Sequence, residues 1–191
     1  MLRLLQPAGA GGVTLRGVYS LAGLRADADF ILWCVSSSAD TLNDLALDIR
    51  HTGLGQHLEV REVFLGLAGP SEYNPDHLPA FLKGDAPRRY LSVYPFVKTP
   101  EWYLLPAEER REMMAEHGRA GREHAVSANT VRSFGLGDAE FIVALEADQL
   151  KDLVDCMDAL RRLRVRHYTL RDAPIYLGRL RSLEETLVSL C

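Results

Sequence analysis

Apolar and polar positions change period several times along the chain, and each change marks an element. Residues 13–21 alternate and predict a strand. Residues 30–35 form a continuous apolar run, the pattern of a strand buried on both faces or nearly so. Leu42, Leu45, Leu47 and Ile49 space a helix over residues 38–50, with Ser38 or Asp40 available as its N-cap. Residues 57–67 alternate again and predict a third strand. Residues 69–87 are rich in Pro, Gly and Asp and read as a long connection, with a helical turn at 77–82. A strand over 90–98 follows, then a helix over 106–124 with Glu108 and Glu109 in its first turn. Residues 130–135 and 140–146 predict a hairpin around Gly135-Leu136-Gly137-Asp138. Leu150, Leu153, Val154, Met157 and Leu160 share one face of a helix over 148–163. Strand pieces at 165–170 and 175–177 and a short helix over 182–189 close the chain. Residues 1–11, with Pro7 and small residues after it, predict no regular element.

One internal echo organises these elements. Asp27-Ala28-Asp29-Phe30-Ile31 returns as Asp138-Ala139-Glu140-Phe141-Ile142. Each copy leads into a strand and then a helix opening Asp-x-Leu-x-Asp-Leu, at Asp40–Leu45 and Asp148–Leu153. The expected class is therefore α+β, two tandem ferredoxin-like units with helices on one face of each sheet. The expected boundaries are a shortened N-terminal unit over 1–68, a connecting loop over 69–88, a C-terminal unit over 89–180 and a tail over 181–191. The second copy has an opening strand and first helix that the first copy lacks.

Composition changes this picture only by exclusion. The chain has 191 residues, 47% apolar and 25% charged, with a net charge of −4. That is an ordinary globular balance with no basic surplus for nucleic acid. No apolar run approaches the ~20 residues of a membrane span, and no signal peptide is visible. Cys34, Cys156 and Cys191 have no metal-binding spacing and read as reduced thiols, so the expected location is the cytoplasm. Phosphate-binding, zinc-protease and serine-hydrolase motifs are absent.

The candidate chemistry lies between residues 77 and 117. On the helix over 106–124, Met113 and Met114 share a face with His117, and Ala120 and Gly121 follow one turn on. A flat apolar ligand could lie there with the imidazole as its axial base. The plainer reading is a helix-end histidine touching the dipole. Tyr94 and Lys98 are four apart on one strand and face the same side, either as a phenol–ammonium pair or as ordinary edge residues. Trp102 reads first as core packing, and His77 as a solvent-exposed loop histidine.

The wording of the chain then reverses those balances. Tyr94-Pro95-Phe96-Val97-Lys98, Glu101-Trp102-Tyr103-Leu104-Leu105-Pro106 and Glu116-His117-Gly118 stand in order. With Leu21 to Phe30, His77-Leu78-Pro79-Ala80-Phe81, Asn129-Thr130-Val131 and Gly137 to Phe141, the chain resembles the coproheme decarboxylases of the chlorite dismutase superfamily, most of all their actinobacterial branch. The resemblance covers most of residues 13–180. It implies paired ferredoxin-like units, a homopentamer, and haem held in the C-terminal unit. His117 matches the proximal iron ligand. Tyr94 matches the tyrosine whose radical attacks the substrate propionates, Lys98 the basic position beside it, and His77 a distal histidine acting as base toward hydrogen peroxide. Trp102 matches a tryptophan near the pocket. The implied substrate and cofactor is Fe-coproporphyrin III (coproheme), converted to haem b, with a coproporphyrin ferrochelatase as a possible supplier. No distal arginine of the kind chlorite chemistry requires can be placed by motif. A haem-binding or haem-handing module without turnover, and a cofactor-free α+β barrel monooxygenase or structural protein, are the competing readings. Tyr94 argues against the haem carrier.

Overall fold

A computed structural model describes residues 12–73 and 78–189. Its elements are β1 (Val13–Ser20), β2 (Phe30–Ser36), α1 (Ala39–His51), β3 (Tyr90–Lys98), α2 (Pro100–Leu104), α3 (Ala107–Arg122), β4 (Ser127–Ala128), β5 (Val131–Arg132), β6 (Phe141–Ala147), α4 (Leu150–Arg161), β7 (Thr169–Arg171), β8 (Tyr176–Arg181) and α5 (Leu183–Val188). The chain is α+β and divides into two compact units. One is Met1–Val63 with Gly178–Cys191, the other Phe64–Leu177.

In the first unit β1 pairs antiparallel with β2, with a register shift between Leu15 and Gly17, and on its other side with the end of β8. Gly178 is required there. A Cβ at that position would lie 2.7 Å from Tyr19 Cβ, an atom tied to the backbone that cannot swing away. Ser38 caps α1 as expected, its hydroxyl accepting from the Thr41 N–H at 3.4 Å. The expectation of a doubly buried β2 is corrected: every β2 residue is only half-buried, and α1 buries no residue fully. β2 is the terminal strand of its sheet, so its apolar run is covered incompletely. The expected strand over 57–67 is also corrected. Gly55–His57 make a 3-10 turn, and the following residues join no strand until Leu67 bridges Arg132. Alternation decides which side chains face inward, whereas a strand also needs a neighbouring backbone to receive its hydrogen bonds.

In the second unit β3 and β6 pair antiparallel from Tyr90↔Ala147 to Phe96↔Phe141. β7 flanks β3, and β4 and β5 flank β6. The order strand, helix, strand, strand, helix, strand is compatible with the expected ferredoxin-like unit. Of the strand expected over 130–135 only Val131–Arg132 pairs with β6, and a second short piece, Ser127–Ala128, precedes it. Asn129, just after β4, spends its side chain on tertiary bonds, accepting from the Phe81 N–H at 2.9 Å and donating to Glu146 Oε2 at 3.0 Å. The strand expected from residue 165 begins at 169. Residues 164–168 form a 3-10 turn whose Val165 is drawn into the core beside Trp102. α3 packs on α4 and on that turn.

Candidate functional site

β3 carries Tyr94, Phe96 and Lys98 on one face; α4 meets that face at Tyr94 through Leu153 and Met157, and α3 packs on α4. Tyr94 packs with Leu145, Ala147 and Leu153, and with Phe96 and Met157 at the margin of that cluster. Its hydroxyl, on a residue 5% exposed, reaches Met157 Sδ at 3.5 Å. Burial raises the Tyr94 pKa. Asp172 adds to the rise, while Arg161 and Arg166 oppose it. The phenol is therefore a neutral O–H across the physiological range.

Trp102 falls on α2, a short helix that Pro100 opens at a position where no N–H is needed. It is 2% exposed and packs against Met113 and Val165, with Met114, Tyr73 and Tyr168 around them. Met113 and Met114 are thus packing partners of Trp102, one turn before His117. Lys98 is 8% exposed, and its ammonium lies 4.1 Å from the Trp102 ring centre and 5.3 Å from that of Phe96. Burial pulls its pKa down to about 8 against the pull of the Glu140 carboxylate. Glu140 Oε2 accepts from the Lys98 backbone N–H at 2.7 Å and from the Tyr103 hydroxyl at 2.5 Å.

His117 is half-buried on α3, with Nδ1 buried and lacking a hydrogen-bond partner. Burial first, and the Lys98 charge second, lower its pKa to about 4. The residue is a neutral imidazole with an unspent nitrogen, the state in which histidine binds a metal. Among the described residues no group of three or more His, Cys, Asp or Glu could cage a metal ion. A single neutral imidazole on an apolar helix stripe instead suits the axial position of a metal carried by its own porphyrin.

The structure thus gathers His117, Lys98, Trp102, Met113 and Met114 around one layer. Tyr94 lies on the same strand face, with its hydroxyl turned to α4. Lys98, expected beside Tyr94, directs its ammonium onto Trp102 and toward His117. His77 lies outside the described residues. Sequence reasoning missed Glu140, although the internal echo contained it, and missed Met157, Arg161, Arg166 and Asp172, which only the tertiary fold brings to Tyr94.

A family model described as chlorite dismutase matches residues 1–181. The chain belongs to the chlorite dismutase family. Within this family, a protein of Mycolicibacterium smegmatis named coproheme decarboxylase is 45% identical over 181 residues, which span 94% of this chain and 78% of that one. A Staphylococcus carnosus protein of the same name is 30% identical over 72% of this chain and 62% of its own length. The crystal structure of a mutant chlorite dismutase from Candidatus Nitrospira defluvii superposes with a TM-score of 0.85 at 26% identity, over 94% of this chain and 79% of that one.

Proposed function

We propose that this protein is a coproheme decarboxylase. It converts two propionates of Fe-coproporphyrin III to vinyl groups at the expense of hydrogen peroxide, giving haem b. The observation that carries this reading is His117, a half-buried imidazole kept neutral with its buried Nδ1 unspent, within the field of Lys98 on the strand that holds Tyr94. The 45% identity to a protein named for the activity supports it.

The iron porphyrin is both substrate and redox group, and when bound it supplies the oxidising power released by peroxide. This chain's residues do the rest. His117 ligates the iron, and Lys98 supports it by disfavouring a proton on the ring. Trp102, Met113 and Met114 wall that side and exclude water. Tyr94 gives up an electron and its hydroxyl proton, and the resulting neutral phenoxyl takes a hydrogen atom from the propionate β-carbon. The β-carbon radical then gives its electron to the second oxidising equivalent of the same peroxide, the bond to the carboxylate breaks, and carbon dioxide leaves behind a vinyl group. Each conversion consumes one propionate, one peroxide and one proton, and yields one vinyl group, one carbon dioxide and two waters. His77 is the proposed base toward peroxide.

The same reading places the protein in the cytoplasm as a homopentamer that receives coproheme from a coproporphyrin ferrochelatase. Among the described residues no helix is long and apolar enough to cross a membrane. Native mass spectrometry tests the oligomer, and coproheme transfer from the ferrochelatase tests the supply. The activity is tested by adding peroxide to the coproheme complex and weighing the porphyrins. A three-propionate species followed by haem b is expected, and recovery of unchanged coproheme would refute it.

A further inference from the structure

The hydroxyl of Tyr94 faces α4 at Met157, 3.5 Å from its sulfur. Arg161 stands four residues further along the same helix stripe. Its Nη2 donates to Asp172 Oδ2 at 2.8 Å, and Arg166 Nη1 donates to that same oxygen at 2.7 Å. Asp172 directly follows β7, the strand that lies beside β3. Two guanidiniums therefore share one carboxylate oxygen, all three groups act electrostatically on the Tyr94 phenol, and the group carries a surplus positive charge. Each guanidinium has five N–H donors, and one from each goes to Asp172.

We infer that Arg161 and Arg166 form a clamp for a substrate propionate beside Tyr94, with Asp172 holding the clamp together until the substrate carboxylate enters. The inference rests on the reading that propionates are brought to Tyr94. Planar guanidiniums grip carboxylates through paired, charge-assisted hydrogen bonds, which fix direction as well as charge. Gripping the carboxylate also limits where the β-carbon can stand, which a hydrogen-atom transfer requires. The device resets itself, because the clamped charge departs as carbon dioxide and the vinyl product offers the arginines nothing to hold. Lys98, with its ammonium over Trp102, is not the anchor in this arrangement.

The test compares Fe-coproporphyrin III with its tetramethyl ester, titrated into the full chain and followed by the Soret band. The wild type is expected to prefer the acid. The double variant R161Q/R166Q should lose about tenfold or more of that preference, by weakening acid binding while ester binding stays the same. A folded double variant that keeps the full preference overturns the clamp. Because these contacts also tie α4 to the segment after β7, D172N is the second variant. It preserves shape and removes the competing charge, so it should bind the acid several-fold more tightly and the ester no differently. An unchanged or weaker acid affinity, or an equal change for both ligands, overturns the clamp. If the wild type binds neither porphyrin, the decarboxylase reading fails and the clamp falls with it. If it binds both equally, only the clamp falls.

Discussion

Lys98 holds its ammonium 4.1 Å from the centre of the Trp102 indole, almost fully out of water. An aromatic face compensates part of the lost hydration, and Glu140 adds a favourable field. Neither restores the ordinary lysine value, which has fallen from 10.5 to about 8. At this lysine the unfolded chain therefore holds more protons than the folded one between about pH 8 and 10.5, so its contribution to stability rises with pH across that window. Below pH 8 the buried charge costs a constant amount, at most roughly 3 kcal/mol. Urea midpoints measured from pH 7.5 to 10.5 should rise in the wild type relative to Lys98→Met, since the raised pKa values of Cys34 and Tyr94 pull both proteins the other way alike.

The same charge acts on His117. Its imidazole, lowered from 6.5 to about 4, stays neutral while the unfolded chain's histidine takes a proton. Folding stability is therefore lost as pH falls from 6.5 toward 4, and is complete above that range. Affinity for an iron porphyrin, followed by the Soret band, should be nearly flat from pH 8 to 5. A decline beginning near 6.5 would show an ordinary, solvated histidine. In Lys98→Met the histidine resonances should titrate at higher pH than in the wild type.

Tyr94→Phe should leave the fold intact, because it removes only a hydroxyl-to-sulfur contact worth at most about 1 kcal/mol. Porphyrin affinity should be unchanged and decarboxylation lost. Thermal melting and Soret titration separate those effects from a general collapse of the pocket.

Trp102→Ala should cost roughly 3–5 kcal/mol, since the ring is buried against Met113 and Val165. Trp102→Phe should cost less and keep His117 in place. Denaturant unfolding gives the stability, and the Soret band of the loaded protein reports whether the iron is still ligated.

Much of this site was legible before the fold was known. β3 and α3 declare themselves by clean alternation and by acidic residues opening a helix, and the order of Tyr94, Lys98, Trp102 and His117 carries the family resemblance. What the spacing could not give is direction. Four residues on a strand place Lys98 and Tyr94 on one face, but a long aliphatic stem can carry its charge to either neighbour, and here it goes to Trp102. Residues 57–67 alternate like a strand and yet lack a ladder, because pairing depends on a second segment. Asp172, Arg161 and Arg166 lie 67 to 78 positions after Tyr94, and no local period connects groups that far apart.

The central claim is that Tyr94 draws its oxidising power from a porphyrin gripped by His117 and spends it on propionates. Peroxide added stepwise to the coproheme complexes of the wild type and of Tyr94→Phe, with the porphyrins weighed by mass spectrometry, tests it most directly. The wild type should pass through a three-propionate species to haem b, and the variant should return coproheme with its four propionates. Haem b formed by the variant at the wild-type rate, or no loss of mass in the wild type, would contradict the account.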